Sequence, residues 1–130
     1  MGLGTIDIIA RGMAASASDG DGVSAGNKLT KVSTATVTET IAANNALMCT
    51  GTPTAITVTL GAPKADVTTE YSLTFVAGTS CALTVTAPDG YSLVYPDGTP
   101  TLTDGSLYEF SFAVDDASHI VGLYKEVALS

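Results

Sequence analysis

Tryptophan is absent from the sequence, histidine occurs once, and five basic residues stand against thirteen acidic ones. The shortage of base argues against nucleic acid as a partner. Arg11, Lys28, Lys31, Lys64 and Lys125 are too few and too scattered to displace phosphate counterions. The same shortage argues against an anionic membrane surface. Two cysteines, Cys49 and Cys81, with one histidine cannot complete a structural zinc site. Both cysteines lie in stretches where apolar and polar residues alternate, and they read as small buried hydrophobes rather than as a disulfide. No run approaches the roughly 18 apolar residues of a membrane span. The first residues lack a basic region followed by an apolar run, so no secretory signal is expected. Ile6 stands where a myristoylation motif requires Ser or Thr. The chain is therefore expected to be made in, and to stay in, a cytoplasm.

Charged residues are also scarce, at 14%, where about 25% is usual. Neutral residues fill the gap: the 130 residues include 20 Thr and 18 Ala. Threonine is β-branched and sits well on a pleated, half-exposed surface, so the composition leans toward strands. The length suits one domain with one core. The net charge of −8 suits solubility and outward display.

The chain divides into two parts. In residues 1–28, Ile6, Ile9, Ala10, Met13, Ala14 and Ala17 recur at steps of three and four, a helical stripe. Thr5 can cap its start, and Asp7 with Arg11 forms a favourable i,i+4 pair. The run from Ser18 to Asn27, rich in Gly, Ser and Asp, then reads as a linker. A helix this short is marginal alone in water and must bury its stripe. Its own β domain and a partner are both candidate surfaces, and the linker favours the partner. These six residues are the candidate anchor.

From residue 29 to 130 the period is two. Ile56, Val58 and Leu60 alternate with threonines, as do Leu83 and Val85. Tyr71, Leu73 and Phe75 form a third such series, and Tyr108, Phe110, Phe112 and Val114 a fourth. Each predicts a strand with one face toward a core. Weaker strands are predicted near 32–40, 44–50, 91–95 and 118–127. Turn signals such as Pro88-Asp-Gly90, Pro96-Asp-Gly98 and Asp104-Gly105 separate them. Many short strands at even spacing predict an all-β fold, an antiparallel β-sandwich or jelly-roll-like domain preceded by a short N-terminal helical arm. The predicted outward faces carry Thr, Ala and Ser rather than charge. Strand edges are usually protected by charge, so such faces suggest cover by further copies of the chain, a homo-oligomer.

No catalytic constellation stands out. Gly78-Thr-Ser-Cys-Ala82 has the spacing of a nucleophile elbow, but that motif needs a strand-to-helix turn, and here strands flank it. Asp19-Gly-Asp-Gly22 has Val23 and Thr30 where a calcium loop needs acceptors. Asp115-Asp116 reads as a solvated turn, and His119 as a residue near the last hairpin. No Gly-rich phosphate loop precedes a helix. No catalytic residue, metal ligand or cofactor is therefore assigned, and the chain is not expected to be an enzyme. Tyr91, Tyr95 and Tyr124 are the candidate aromatics for sugar. Tyr91 and Tyr95 lie between two Pro-Asp-Gly turns and are the candidate ligand-facing pair.

The order of the motifs carries a resemblance. Glu70-Tyr-Ser-Leu-Thr-Phe-Val-Ala-Gly78 is followed by Ala82-Leu-Thr-Val-Thr-Ala-Pro-Asp89. A short apolar segment, Asp97-Gly-Thr-Pro100 and Ser106-Leu-Tyr-Glu-Phe-Ser-Phe112 come next. Over about residues 33–127 this resembles the C-terminal β domain of tailed-phage virion proteins of the head-fibre and capsid-decoration type. Val94-Tyr95 stands where that family carries a Trp, and Pro88 follows Ala87 where the family has Leu. Ile9-Ala-Arg-Gly-Met-Ala14 is similar to the family's Ala-rich arm segment. The resemblance implies a trimeric, non-catalytic appendage on the outer surface of the virion, its arm gripping the major capsid protein or another virion protein. The alternative is a receptor-binding module on a tail or baseplate that takes a host-surface glycan.

Overall fold

The computed structural model describes residues 27–116 and 118–129. Every regular element among them is a strand: β1 (Leu29–Val32), β2 (Thr36–Ile41), β3 (Ala46–Cys49), β4 (Ala55–Leu60), β5 (Glu70–Val76), β6 (Ala82–Thr86), β7 (Ser92–Val94), β8 (Leu107–Val114) and β9 (His119–Val127). The chain is all-β over these residues. The four strongly alternating segments became β4, β5, β6 and β8, and the weaker ones β2, β3, β7 and β9. The single strand expected near 32–40 is two elements, β1 and β2. The expected helical arm falls outside the described residues.

The strands form two mixed or parallel sheets. A six-stranded sheet runs in the order β1-β3-β5-β8-β9-β7, and a three-stranded sheet in the order β2-β4-β6. Here the sequence expectation of antiparallel pairing is corrected. Five of the seven strand pairings among the described residues are parallel, and only β5–β8 and β8–β9 are antiparallel. An all-parallel sheet such as β2-β4-β6 is foreign to a jelly roll, whose strands pair antiparallel. The cause lies in the connections. Parallel neighbours need a crossover of a dozen or more residues, usually supplied by a helix. Here four of the five crossovers contain a strand of the other sheet, and the fifth, between β7 and β9, contains β8 of the same sheet. From β1 to β6 successive strands therefore alternate between sheets, and the chain winds in three coils: β1–β2, β3–β4 and β5–β6.

The corners of the coils stack through main-chain hydrogen bonds. On one side Thr50 N–H donates to the Val32 carbonyl (2.7 Å), Thr54 N–H to Ala35 (2.8 Å), and Gly78 N–H to Pro53 (2.8 Å). On the other side asparagine does this work. Asn45 Oδ1 accepts from Lys28 N–H (3.0 Å), and Asn44 Oδ1 from Glu70 N–H (2.9 Å). Asn44 has a φ of 65°, a left-handed conformation that asparagine tolerates better than most residues.

Inward residues of both sheets meet in one hydrophobic cluster that includes Val37, Ile56, Val58, Leu60, Leu73, Phe75, Phe110 and Phe112. The register stacks like on like, as in the row Val37–Ile56–Leu83. The outer face of the three-stranded sheet is an array of seven threonines and two alanines, with rows Thr38–Thr57–Thr84 and Thr40–Thr59–Thr86. After β6 the winding changes. The hairpin β8–β9 takes the places beside β5, and β7 pairs beyond it with β9. The larger sheet thus continues past the smaller one, and the core is left partly open beside β6.

Candidate functional site

That opening is a groove of about 360 Å³ between the edge of β6 and strand β7, roofed by residues 99–102. Its lining joins apolar side chains, Leu83 and Val85 from β6, Leu93 and Tyr95 from the β7 segment, and Pro100 and Leu102 from the roof, with Cys81, Thr84 and Thr99, and it offers about as much polar as apolar surface. The register explains why it is open. Ile56 and Val58 on β4 are fully buried, whereas their in-register neighbours Leu83 and Val85 on β6 are half-exposed, because among the described residues no strand follows. The roof is pinned from below. The buried Tyr108 hydroxyl accepts from Thr103 N–H (2.6 Å) and donates to the Thr101 carbonyl (3.4 Å).

Among the described residues the outer backbone of β6 is open as well. Ala82 N–H donates inward to the Thr54 carbonyl (3.0 Å). In a parallel ladder alternate residues address opposite neighbours, so Leu83 and Val85 turn their N–H and C=O groups to the free edge.

An aromatic relay fixes one wall. Phe75 stacks on Phe110 (centroids 5.9 Å), Phe110 on Tyr124 (5.3 Å), and Tyr124 meets Tyr95 edge-on (6.2 Å). Tyr95 lies against Gly122, where a Cβ would come within 2.7 Å of the ring. The Tyr124 hydroxyl donates to the Gly98 carbonyl (3.3 Å). Burial of Tyr95 and the adjacent Tyr124 push its phenol pKa upward.

Of the candidate sugar-facing pair, Tyr95 lines the groove, while Tyr91 packs half-buried against the core and lies outside the lining. The two do not form one platform. The candidate anchor residues Ile6, Ile9, Ala10, Met13, Ala14 and Ala17 lie outside the described residues, as does Asp19-Gly-Asp-Gly22. Gly78-Thr-Ser-Cys-Ala82 is a corner between two strands, as expected. Asp115 and Asp116 form the β8–β9 turn. His119 Nδ1 lies 3.1 Å from the Asp116 carboxylate and 3.3 Å from Ser118 Oγ. This has the composition of a catalytic triad without its geometry. A triad places serine and carboxylate on opposite ring nitrogens, and here both face Nδ1. The Asp116 carboxylate instead accepts from the Ser118 and His119 backbone N–H groups (2.8 Å each). The Ser118 N–H first, then the His119 side chain and its N–H, hold the Asp116 pKa below the ordinary carboxylate value. The arrangement closes the turn. Among the described residues no three His, Cys, Asp or Glu side chains gather in a way that could hold a metal ion.

No family model matches the chain, and no curated protein or solved structure matches it. The groove is thus read from its own chemistry. Sequence periodicity gave its apolar members but not their exposure, because the half-open state of Leu83 and Val85 depends on which strand fails to follow β6. Glu39 is a further residue that periodicity does not single out. It points inward on β2 between buried Val37 and Ile41, a charge that interrupts an otherwise apolar face. Its position in the pattern Val37-Thr-Glu-Thr-Ile41 was the available signal.

Proposed function

We propose that the chain is a non-catalytic structural protein of a tailed-phage virion, a capsid decoration or short head-fibre protein held by its N-terminal arm on the outer surface of the particle. The observation that carries this reading is the fall of the family-like words on consecutive strands. Glu70–Val76 is β5, Ala82–Thr86 is β6, the short apolar segment holds β7, and Leu107–Val114 is β8. The order resembling the virion domain is therefore the order of the strands that build the core. In this reading the two sheets form a sandwich wound from stacked coils, which suits a part whose work is mechanical. Its partners are the major capsid protein or another virion protein.

The outward faces support an oligomer, with a trimer as the number the family resemblance suggests. The threonine array carries no charge, and the outer face of the larger sheet presents Val94 and Leu123 to solvent. Faces of this kind suit burial against copies of the same chain. The alternative, a glycan-binding tail or baseplate module, draws on one observation, the position of Tyr95 in the groove wall.

Light scattering after gel filtration tests the assembly, with a mass near three chains expected and a clean monomer counting against it. Immunogold labelling of purified particles tests the location. Gold on the head surface is expected. Gold on the tail tip, with binding on a glycan array, favours the alternative. Deleting residues 1–18 should leave a folded β domain that no longer joins particles. Collapse of the truncated chain would mean that the segment belongs to the core.

A further inference from the structure

The four sheet edges are not equivalent. An exposed strand edge offers unpaired N–H and C=O groups to any extended chain, and proteins blunt such edges with charge, shortness or proline. β1 carries Lys31. β2 carries the inward-pointing Glu39. β7 has three residues and is followed closely by Pro96. β6, Ala-Leu-Thr-Val-Thr, has five residues with no charge and no proline. It also borders the groove, as β1 and β2 do not; β7 lines the far wall through Leu93 but is short and followed by proline.

The surroundings of β6 carry charge of one sign. No Lys or Arg occurs between Lys64 and Lys125, a stretch that contains eight acids. Three of these, Asp89, Asp97 and Asp104, are exposed and stand close in sequence to the groove-lining Val85, Tyr95 and Leu102. Asp104 accepts from Ser80 N–H (2.9 Å) at the entry to β6. Asp89 lies in the turn after β6, and Asp97 in the turn beside Tyr95. A second copy pairing edge to edge through β6 would bring two such sets of acids together, which disfavours it.

We propose that the β6 edge and its groove bind an extended segment of another protein by strand addition. The chemistry of the segment follows from the site. Apolar side chains at alternate positions would enter the groove beside Leu83, Val85 and Leu93. Its main chain would pair with the outward N–H and C=O groups of Leu83 and Val85. Lys or Arg at its ends would face Asp89, Asp97 and Asp104. Main-chain pairing supplies affinity and the alternate pockets supply selectivity, as in other strand-addition sites. The site is built from described residues alone, and the inference stands whether or not the chain belongs to a virion.

The test uses the full chain, isotopically labelled, and the acetylated peptide Lys-Lys-Val-Thr-Val-Thr-Val-Thr-Val-Lys-Lys. Saturable shifts of the Leu83 and Val85 amides are expected, with slowed exchange of both. A version with Glu in place of every Lys should bind at least about tenfold more weakly at low salt, the gap narrowing as salt is added. Val85→Lys, which places a charge on the inner face of the edge, should abolish binding, while Val94→Lys on β7 should leave it unchanged. Should Val85→Lys fail to fold, the amide shifts of the unmodified chain still decide. Absence of saturable shifts at Leu83 and Val85 overturns the proposal, as does equal binding of the two peptides. Slow exchange of the same amides without peptide, together with a doubled mass, also overturns it and assigns the edge to a second copy.

Discussion

Asn44 and Glu70 clasp each other through two hydrogen bonds. Asn44 N–H donates to the Glu70 carbonyl at 2.8 Å, and the Asn44 side-chain oxygen accepts from Glu70 N–H at 2.9 Å. The pair ties the second coil to the third at the entrance of β5, and it requires the left-handed φ of Asn44. Asn44→Ala should remove one hydrogen bond and strain the backbone, lowering stability by about 1–2 kcal/mol. Asn44→Gly keeps the conformation and loses only the side-chain bond, so it should lower stability by less. Urea unfolding of the two variants checks the order.

Gly78 makes the opposite corner. A Cβ there would collide with the main-chain carbonyl oxygens of Thr52 and Pro53, which cannot rotate away. Gly90, by contrast, has a left-handed φ, of 84°, and open space surrounds it. Gly78→Ala should therefore destabilise by about 3 kcal/mol or more, as overpacking against rigid backbone does. Gly90→Ala should lose about 1 kcal/mol, the conformational term alone. Equal losses at the two positions would contradict the stacked-corner account.

Tyr108 joins the core to the roof of the groove. Tyr108→Phe leaves the ring packing intact but strands Thr103 N–H, and should lower stability by about 1–2 kcal/mol. Amide exchange at Thr103 should accelerate, while amides of β4 keep their protection. Uniform acceleration across the fold would mean that the hydroxyl supports global stability rather than the roof.

The cysteines differ in reactivity. Burial pushes the Cys49 thiol up from 9.0 to about 11, with smaller contributions from Cys81 and Glu39. Cys81 is also raised by burial, but it is half-exposed at the groove. At pH 8 a thiol reagent should label Cys81 well before Cys49. Cys49 also imposes a pH dependence. Its pKa is higher in the fold than in the unfolded chain, so its contribution to stability is intact below about pH 9 and declines toward pH 11, as the unfolded thiol ionises first. Cys49→Ala should flatten that decline in unfolding experiments across the range. The raised pKa values of Tyr71 and Tyr95 add a slope of the same sign, which the variant retains.

The strand content was legible because side-chain period is a local property. Leu83 and Val85 had to face one way and Thr84 the other, whatever lay beside them. The turns at Gly90, Gly98 and Gly105 were legible for the same reason, since only glycine adopts their φ of 81–90° without strain. Pairing was not legible. The three residues between β1 and β2 look like a hairpin loop, yet they form a corner that passes the chain to the other sheet. Nothing in residues 33–35 announces this. It is decided by Thr50, Thr54 and Gly78, which lie far along the chain and stack beneath them.

The sequence by itself determined that the chain would form strands, which residues would face inward, and that charge would be sparse and mostly negative. These follow from composition and from a period of two. Tertiary structure decided that strands β1 to β6 would alternate between sheets, that pairing would be mainly parallel, and that among the described residues β6 would be left as an uncharged open edge beside a groove. Each of these depends on contacts between residues distant in sequence. Leu83 reads the same as Ile56 along the chain, and only the insertion of β8 and β9 beside β5 leaves one covered and the other half-exposed.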